Sequence, residues 1–118
     1  MTTPTLPPIA FVRGDTVVIT GQVTLPNGSH DITGFSSLTF LADCANPQCK
    51  LVQSTTDGSV VVATPTTGEY VLTILPAVTN DALPDQAADI ILRGRWKLLD
   101  SIGNESTIER RTVVVSQS

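Results

Sequence analysis

From residue 9 to residue 115 the chain is built of short runs rich in valine, isoleucine, threonine and leucine, each cut off by glycine, proline, Asn-Gly or Asp-Gly. β-Branched side chains are stiff at χ1 and pack well on a pleated surface, and breaks this frequent leave little room for helices of ordinary length. Period-two alternation sharpens the reading. In residues 16–24, Val17, Ile19 and Val23 share one side, while Thr16, Thr20, Gln22 and Thr24 fall largely on the other. In residues 88–99, Ile90, Leu92, Gly94, Trp96 and Leu98 face one way, and Asp89, Ile91, Arg93, Arg95, Lys97 and Leu99 the other. Successive side chains of a strand point to opposite faces, so both segments read as strands. Further strands are expected at 9–12, 35–43, 49–54, 59–64, 69–75 and 106–115. Turns are expected where Gly14, Gly28, Gly58, Gly68 and Gly103 stand, since glycine accepts the positive φ of tight turns. Residues 76–86 break the pattern: Thr79 or Asn80 caps one short helical turn through Leu83, stopped by Pro84.

Seven or eight such strands, nearly without helix, predict an all-β, antiparallel sandwich of immunoglobulin-like kind, with a small barrel as the second arrangement. A chain of 118 residues buries roughly 65% of its unfolded surface, enough for one core without metal or disulfide staples. Residues 9–118 are therefore expected to form a single domain. Only 15% of residues are charged and the mean hydropathy is positive, which argues against disorder. No apolar run reaches membrane-spanning length, and a net charge of −4 makes nucleic acid a poor partner. No membrane partner is expected either. The first eight residues hold three prolines and read as an extended, partly polyproline II arm. They show neither the basic nor the apolar region of a secretory leader, so the glycosylation sequons at Asn27 and Asn104 carry no weight.

Catalysis has little raw material. His30 is the only histidine and lies between Ser29 and Asp31, but adjacency along the chain does not aim a base at a nucleophile. The eleven acids show no telling spacing. No enzymatic activity and no cofactor are expected. Cys44 and Cys49 form C-x4-C. As a zinc site this lacks two ligands; as a disulfide it closes a small loop worth about 2 kcal/mol; a reduced pair is the other alternative. Arg13-Gly14-Asp15 spells an integrin-binding tripeptide, yet its glycine and aspartate already serve a turn.

Charge is distributed unevenly. Residues 1–92 carry Arg13 and Lys50 against eight acids, whereas residues 93–118 carry five bases against Asp100, Glu105 and Glu109. Arg93, Arg95 and Lys97 alternate on one strand and share its outward face, and Arg110 and Arg111 lie on the strand expected beside it. These five bases form a candidate subunit-docking stripe for an acidic neighbour, a copy of this same chain included; alternatively they guard a solvated sheet against edge pairing. The arm supplies a second docking candidate through Pro4, Leu6 and Pro7, because a pre-stiffened segment loses less entropy on binding.

The order of these signals resembles a known family. Phe11-Val12-Arg13-Gly14-Asp15-Thr16 opens the domain, and Asp31-Ile32-Thr33-Gly34 precedes Leu38-Thr39-Phe40. Thr67-Gly68-Glu69-Tyr70 leads a later strand, and Trp96-Lys97-Leu98-Leu99-Asp100 precedes Gly103 and the closing Thr112-Val113-Val114-Val115. This is similar to the immunoglobulin-like domains of tailed-bacteriophage virion proteins, above all the amino-terminal domain of baseplate upper proteins. Ile32 stands where that pattern has leucine, and the Cys44–Cys49 loop lies outside it. The resemblance implies a non-enzymatic virion structural protein, expected to form a homo-oligomer and to dock on other virion proteins of the tail or baseplate, or to decorate the capsid. A stand-alone β-sandwich that binds carbohydrate or a cell-surface ligand is the alternative. It calls for exposed aromatics, of which Phe35 is the one candidate.

Overall fold

Eight strands follow one another along the chain: β1 (Ile9–Val12), β2 (Val17–Gln22), β3 (Ser37–Asp43), β4 (Lys50–Ser54), β5 (Val60–Thr64), β6 (Glu69–Ile74), β7 (Ile90–Leu99) and β8 (Glu105–Ser116). The computed structural model describes residues 8–25, 28–44, 50–78 and 89–116. Each strand lies within about two residues of its expected place, because the apolar alternation and the turn glycines set both ends. Gly14, Gly28, Gly58, Gly68 and Gly103 all adopt positive φ.

The strands assort into two sheets, β1-β8-β7-β3-β4 and β2-β6-β5. Stacked face to face they make a β-sandwich. The alternation in β7 decides which side is inside: Ile90, Leu92, Gly94, Trp96 and Leu98 are buried, while Ile91 and Arg93 are exposed. Phe40 of β3 and Trp96 of β7 stand opposite one another, their rings 5.0 Å apart. Trp96 also meets Tyr70 of the facing sheet at 4.3 Å, so one aromatic file joins the two layers. Leu38, Leu51, Leu72, Ile74, Leu92, Val113 and Val115 close around it with no exposed surface.

Two glycines in strands let this file fit. A Cβ on Gly21 would collide with the Tyr70 hydroxyl, and one on Gly94 would lie 2.6 Å from the Arg111 carbonyl and 2.7 Å from the Phe40 ring. Neither site has room for a methyl group.

One expectation requires correction. The sheets are not wholly antiparallel, since β1 runs parallel to β8, Ile9 beside Val113 through Val12 beside Ser116. The Arg13 amide extends this ladder by donating to the Ser116 carbonyl at 2.8 Å. A parallel pair needs a long connection, and here the rest of the domain supplies it. A short helical turn stands at 76–78, where Pro76 suits the first helical position because its missing N–H has no partner there anyway. The expected turn from Thr79 through Leu83 lies outside the described residues, as do residues 1–7 of the arm; Pro8 is exposed.

Candidate docking face

The outer face of the five-stranded sheet follows directly from the registers. One row across the strands reads Lys50, Asp43, Arg93 and Thr112; the next reads Val52, Leu41, Arg95 and Arg110; a third reads Ser54, Thr39, Lys97 and Thr107. Strands β4, β7 and β8 thus gather five bases, Lys50, Arg93, Arg95, Lys97 and Arg110, against Asp43 and Glu105 within the strands and exposed Asp89 just ahead of β7. The chain has seven bases in all, so most of its positive charge lies on this one surface.

Two of the bases are paired within the face. Arg95 Nη2 lies 3.5 Å from Asp43 Oδ2, and Lys97 Nζ donates to Glu105 Oε1 at 3.1 Å. Both pairs are partly solvated, which limits each to about 1 kcal/mol or less. Lys50, Arg93 and Arg110 make no ion pair with a described residue. Arg95 and Arg110 stand directly opposite on neighbouring strands, an arrangement that costs roughly 0.2–1 kcal/mol for like charges. Apolar side chains lie among the bases: Ile91 is 62% exposed and Val52 45%. A shallow hollow of about 390 Å³ opens between Asp43, Arg93, Arg95, Arg110 and Thr112.

Arg93, Arg95, Lys97 and Arg110 therefore share the expected face. Arg111 does not. It follows Arg110 directly, so it points through the opposite side of the strand, and its register partner is Gly94 of the inner face. Arg111 is half-buried and its charge acts on Tyr70 and Glu109 beneath the sheet. Glu109 is 3% exposed, brought inside where a bulge between Trp96 and Lys97 lets β8 turn both Ile108 and Glu109 inward. The Tyr70 hydroxyl donates to Glu109 Oε2 at 3.4 Å. Burial pushes the Glu109 carboxyl up to about 6, against the opposing pull of the Tyr70 hydrogen bond and the Arg111 charge. Burial, with the neighbouring Glu109 charge, pushes the Tyr70 phenol upward as well.

The remaining candidates are structural where they are described. His30 Nδ1 lies 3.0 Å from the Val23 carbonyl and 3.3 Å from Thr24 Oγ1; a carbonyl only accepts, so Nδ1 carries the proton. Asp31 accepts from the Thr33 amide at 2.9 Å, and Ser29 Oγ accepts from the Asp31 amide at 3.1 Å. The three residues tie down a loop and do not converge on one another's reactive atoms. Arg13-Gly14-Asp15 forms the β1–β2 turn, with the Asp15 amide donating to the Val12 carbonyl at 3.1 Å. Cys44 is half-buried against the core; Cys49 lies outside the described residues, and so do Asn27, Pro4, Leu6 and Pro7. Phe35 packs against the core cluster, and none of the five aromatics is exposed. Among the described residues, no three His, Cys, Asp or Glu side chains gather to hold a metal ion, and no helix is long and apolar enough to cross a membrane.

Sequence reasoning missed Lys50, because only the β3–β4 pairing carries it onto the face, and it missed the Tyr70–Glu109 contact across the two sheets. The period-two rule does give the inward turn of Arg111 once Arg110 is known to face outward. Comparison with known proteins gives no matching family model and no similar curated protein.

Proposed function

We propose that this chain is a non-enzymatic structural domain of immunoglobulin-like kind that docks on neighbouring subunits through the outer face of its five-stranded sheet. The observation that carries the reading is the set of bases on that face, with Arg95 set against Arg110 and apolar Ile91 and Val52 among them. Arginine and exposed apolar groups together are the usual makings of an interface centre, and an acidic partner would remove the like-charge cost. The fold reading is supported by the strand order. β2-β6-β5 corresponds to one sheet of the immunoglobulin arrangement, and β8-β7-β3-β4 to the other with one added strand.

The assembly we propose is the virion of a tailed bacteriophage, in its tail or baseplate or on its capsid. This placement rests on the motif resemblance of residues 9–115 alone. The test is charge reversal of Arg93, Arg95 and Lys97 together, in phage particles assembled with the variant. Folding should survive, because all three side chains lie outside the core, and incorporation should be lost. Normal incorporation would remove the docking role from this face.

A further inference from the structure

A strand at the end of a sheet shows a row of unused backbone donors and acceptors, and proteins ordinarily blunt such edges. Among the described residues the two sheets have four edges, and three are blunted. β1 is only four residues long, β4 opens on the exposed Lys50, and β5 slips register between Val62 and Thr64. β2 carries none of these protections. It ends its sheet, holds neither charge nor proline, and pairs with β6 without a break, Val17 beside Ile74 through Gln22 beside Glu69. β1, its neighbour along the chain, lies on β8 of the other sheet instead of beside it.

The ladder fixes which groups of β2 are unused. The Val23 amide donates to the Gly68 carbonyl at 2.8 Å, and bonded pairs alternate along an antiparallel ladder. Val17, Ile19 and Gly21 therefore turn their N–H and C=O towards β6, whereas Val18, Thr20 and Gln22 turn theirs outward. The phase agrees on the far side of β6, where the Thr73 amide, opposite Val18, donates to the Ser59 carbonyl at 2.8 Å. Val18, Thr20 and Gln22 are all exposed. The inward Val17 and Ile19 are only half-buried, while Ile74 and Leu72 opposite them have no exposed surface. The apolar interior thus stands partly open along this edge.

We infer that the occupant of this edge is β2 of a second copy of the chain, antiparallel and related by a two-fold axis through Thr20. In that register Thr20 meets the partner's Thr20 and Val18 meets the partner's Gln22. Each copy then donates three backbone bonds and accepts three, so no outward group of these residues is left over. No like charges meet, since neither strand holds a charge, and threonine pairs are favourable cross-strand neighbours. The chain's own leading segment fits less well, because Pro4, Pro7 and Pro8 lack the N–H that a ladder needs. A seam one strand wide is small for a permanent interface, so the dimer dissociates on dilution. It lies on the three-stranded sheet and does not depend on the basic face.

Sedimentation equilibrium of the full chain over a dilution series is expected to show monomer and dimer. Thr20→Pro removes two bonds of the seam by symmetry and none to β6, because this N–H points outward; it should weaken the dimer at least about tenfold. Val18→Lys gives β2 the kind of charge that protects other edges, at an exposed side chain, and should act likewise. Circular dichroism checks that both variants fold, and Val18→Lys carries the test if Thr20→Pro does not. Hydrogen exchange locates the seam: the Val18, Thr20 and Gln22 amides should exchange slowly in concentrated protein and fast in dilute protein, with Ile19 and Gly21 slow in both. Charge reversal of Arg93, Arg95 and Lys97 should leave the dimer intact, which separates this inference from the docking role of the basic face. A chain still monomeric at about 1 mM, a dimer that the folded variants leave intact, a dimer lost on reversal of the basic face, or edge amides indifferent to dilution would each overturn it.

Discussion

Glu109 offers the sharpest quantitative test of the interior. Its carboxyl is buried beneath the five-stranded sheet and titrates at about 6 instead of its ordinary 4.5. That difference corresponds to about 2 kcal/mol of unequal proton binding between the folded and unfolded chain. Below pH 4.5 both states hold the proton and the group costs nothing. Between pH 4.5 and 6 the unfolded chain releases it while the folded chain keeps it, so stability falls as pH rises. Above pH 6 the full cost of about 2 kcal/mol is in place. Glu109→Gln keeps the shape and still accepts from the Tyr70 hydroxyl, but it cannot ionise. The variant should therefore be about 2 kcal/mol more stable than wild type at pH 7.5 and no more stable at pH 4.5. Urea unfolding followed by the fluorescence of Trp96, the only tryptophan, measures both across that range. Asp31 and Asp57, both held low, leave the window clear. Hydrogen bonds from the Thr33 hydroxyl and amide hold Asp31 below its ordinary 3.8. Burial acts to raise Asp57, but bonds from Ser59 and Ser54 outweigh it and lower that group too. Their contributions are lost only as pH falls below 3.8. Parallel pH profiles for wild type and variant, or a wild type that gains stability between pH 4.5 and 6.5, would refute the argument.

Gly94→Ala should destabilise by about 1–3 kcal/mol, because its methyl group meets the Arg111 carbonyl and the Phe40 ring at 2.6 and 2.7 Å; chemical denaturation reads this directly. Asp43→Ala removes the partly solvated partner of Arg95 and should shift the unfolding free energy by less than about 1 kcal/mol. Deleting residues 1–8 leaves the β1–β8 ladder whole, since it begins at Ile9, so the melting temperature should hardly change by calorimetry. A fall of many degrees would mean that the deleted segment contributes to the packed core.

Strand positions were legible because local rules govern them. Alternation fixed which side chains of β7 turn inward, and glycine fixed where strands end. Non-local facts were not legible. No local pattern announces that β1 lies parallel to β8, or that Lys50 joins Arg93 through Asp43, since these depend on which strands become neighbours. The burial of Glu109 escaped for a related reason: the bulge opposite Trp96 shifts the period of β8 by one residue, and a charged residue then occupies an inward position. The basic stripe was half legible, its β7 members from alternation alone and Arg110 only through pairing.

The parallel seam between β1 and β8 has a mechanical consequence. Their directions agree, so the leading end of β1 and the trailing end of β8 leave the seam on opposite sides. Tension drawn between those ends would load every rung of the seam together, sideways, and single-molecule stretching should show one high, abrupt rupture where a zipper geometry would yield rung by rung. A domain joined this way resists being pulled lengthwise far better than its modest size would suggest.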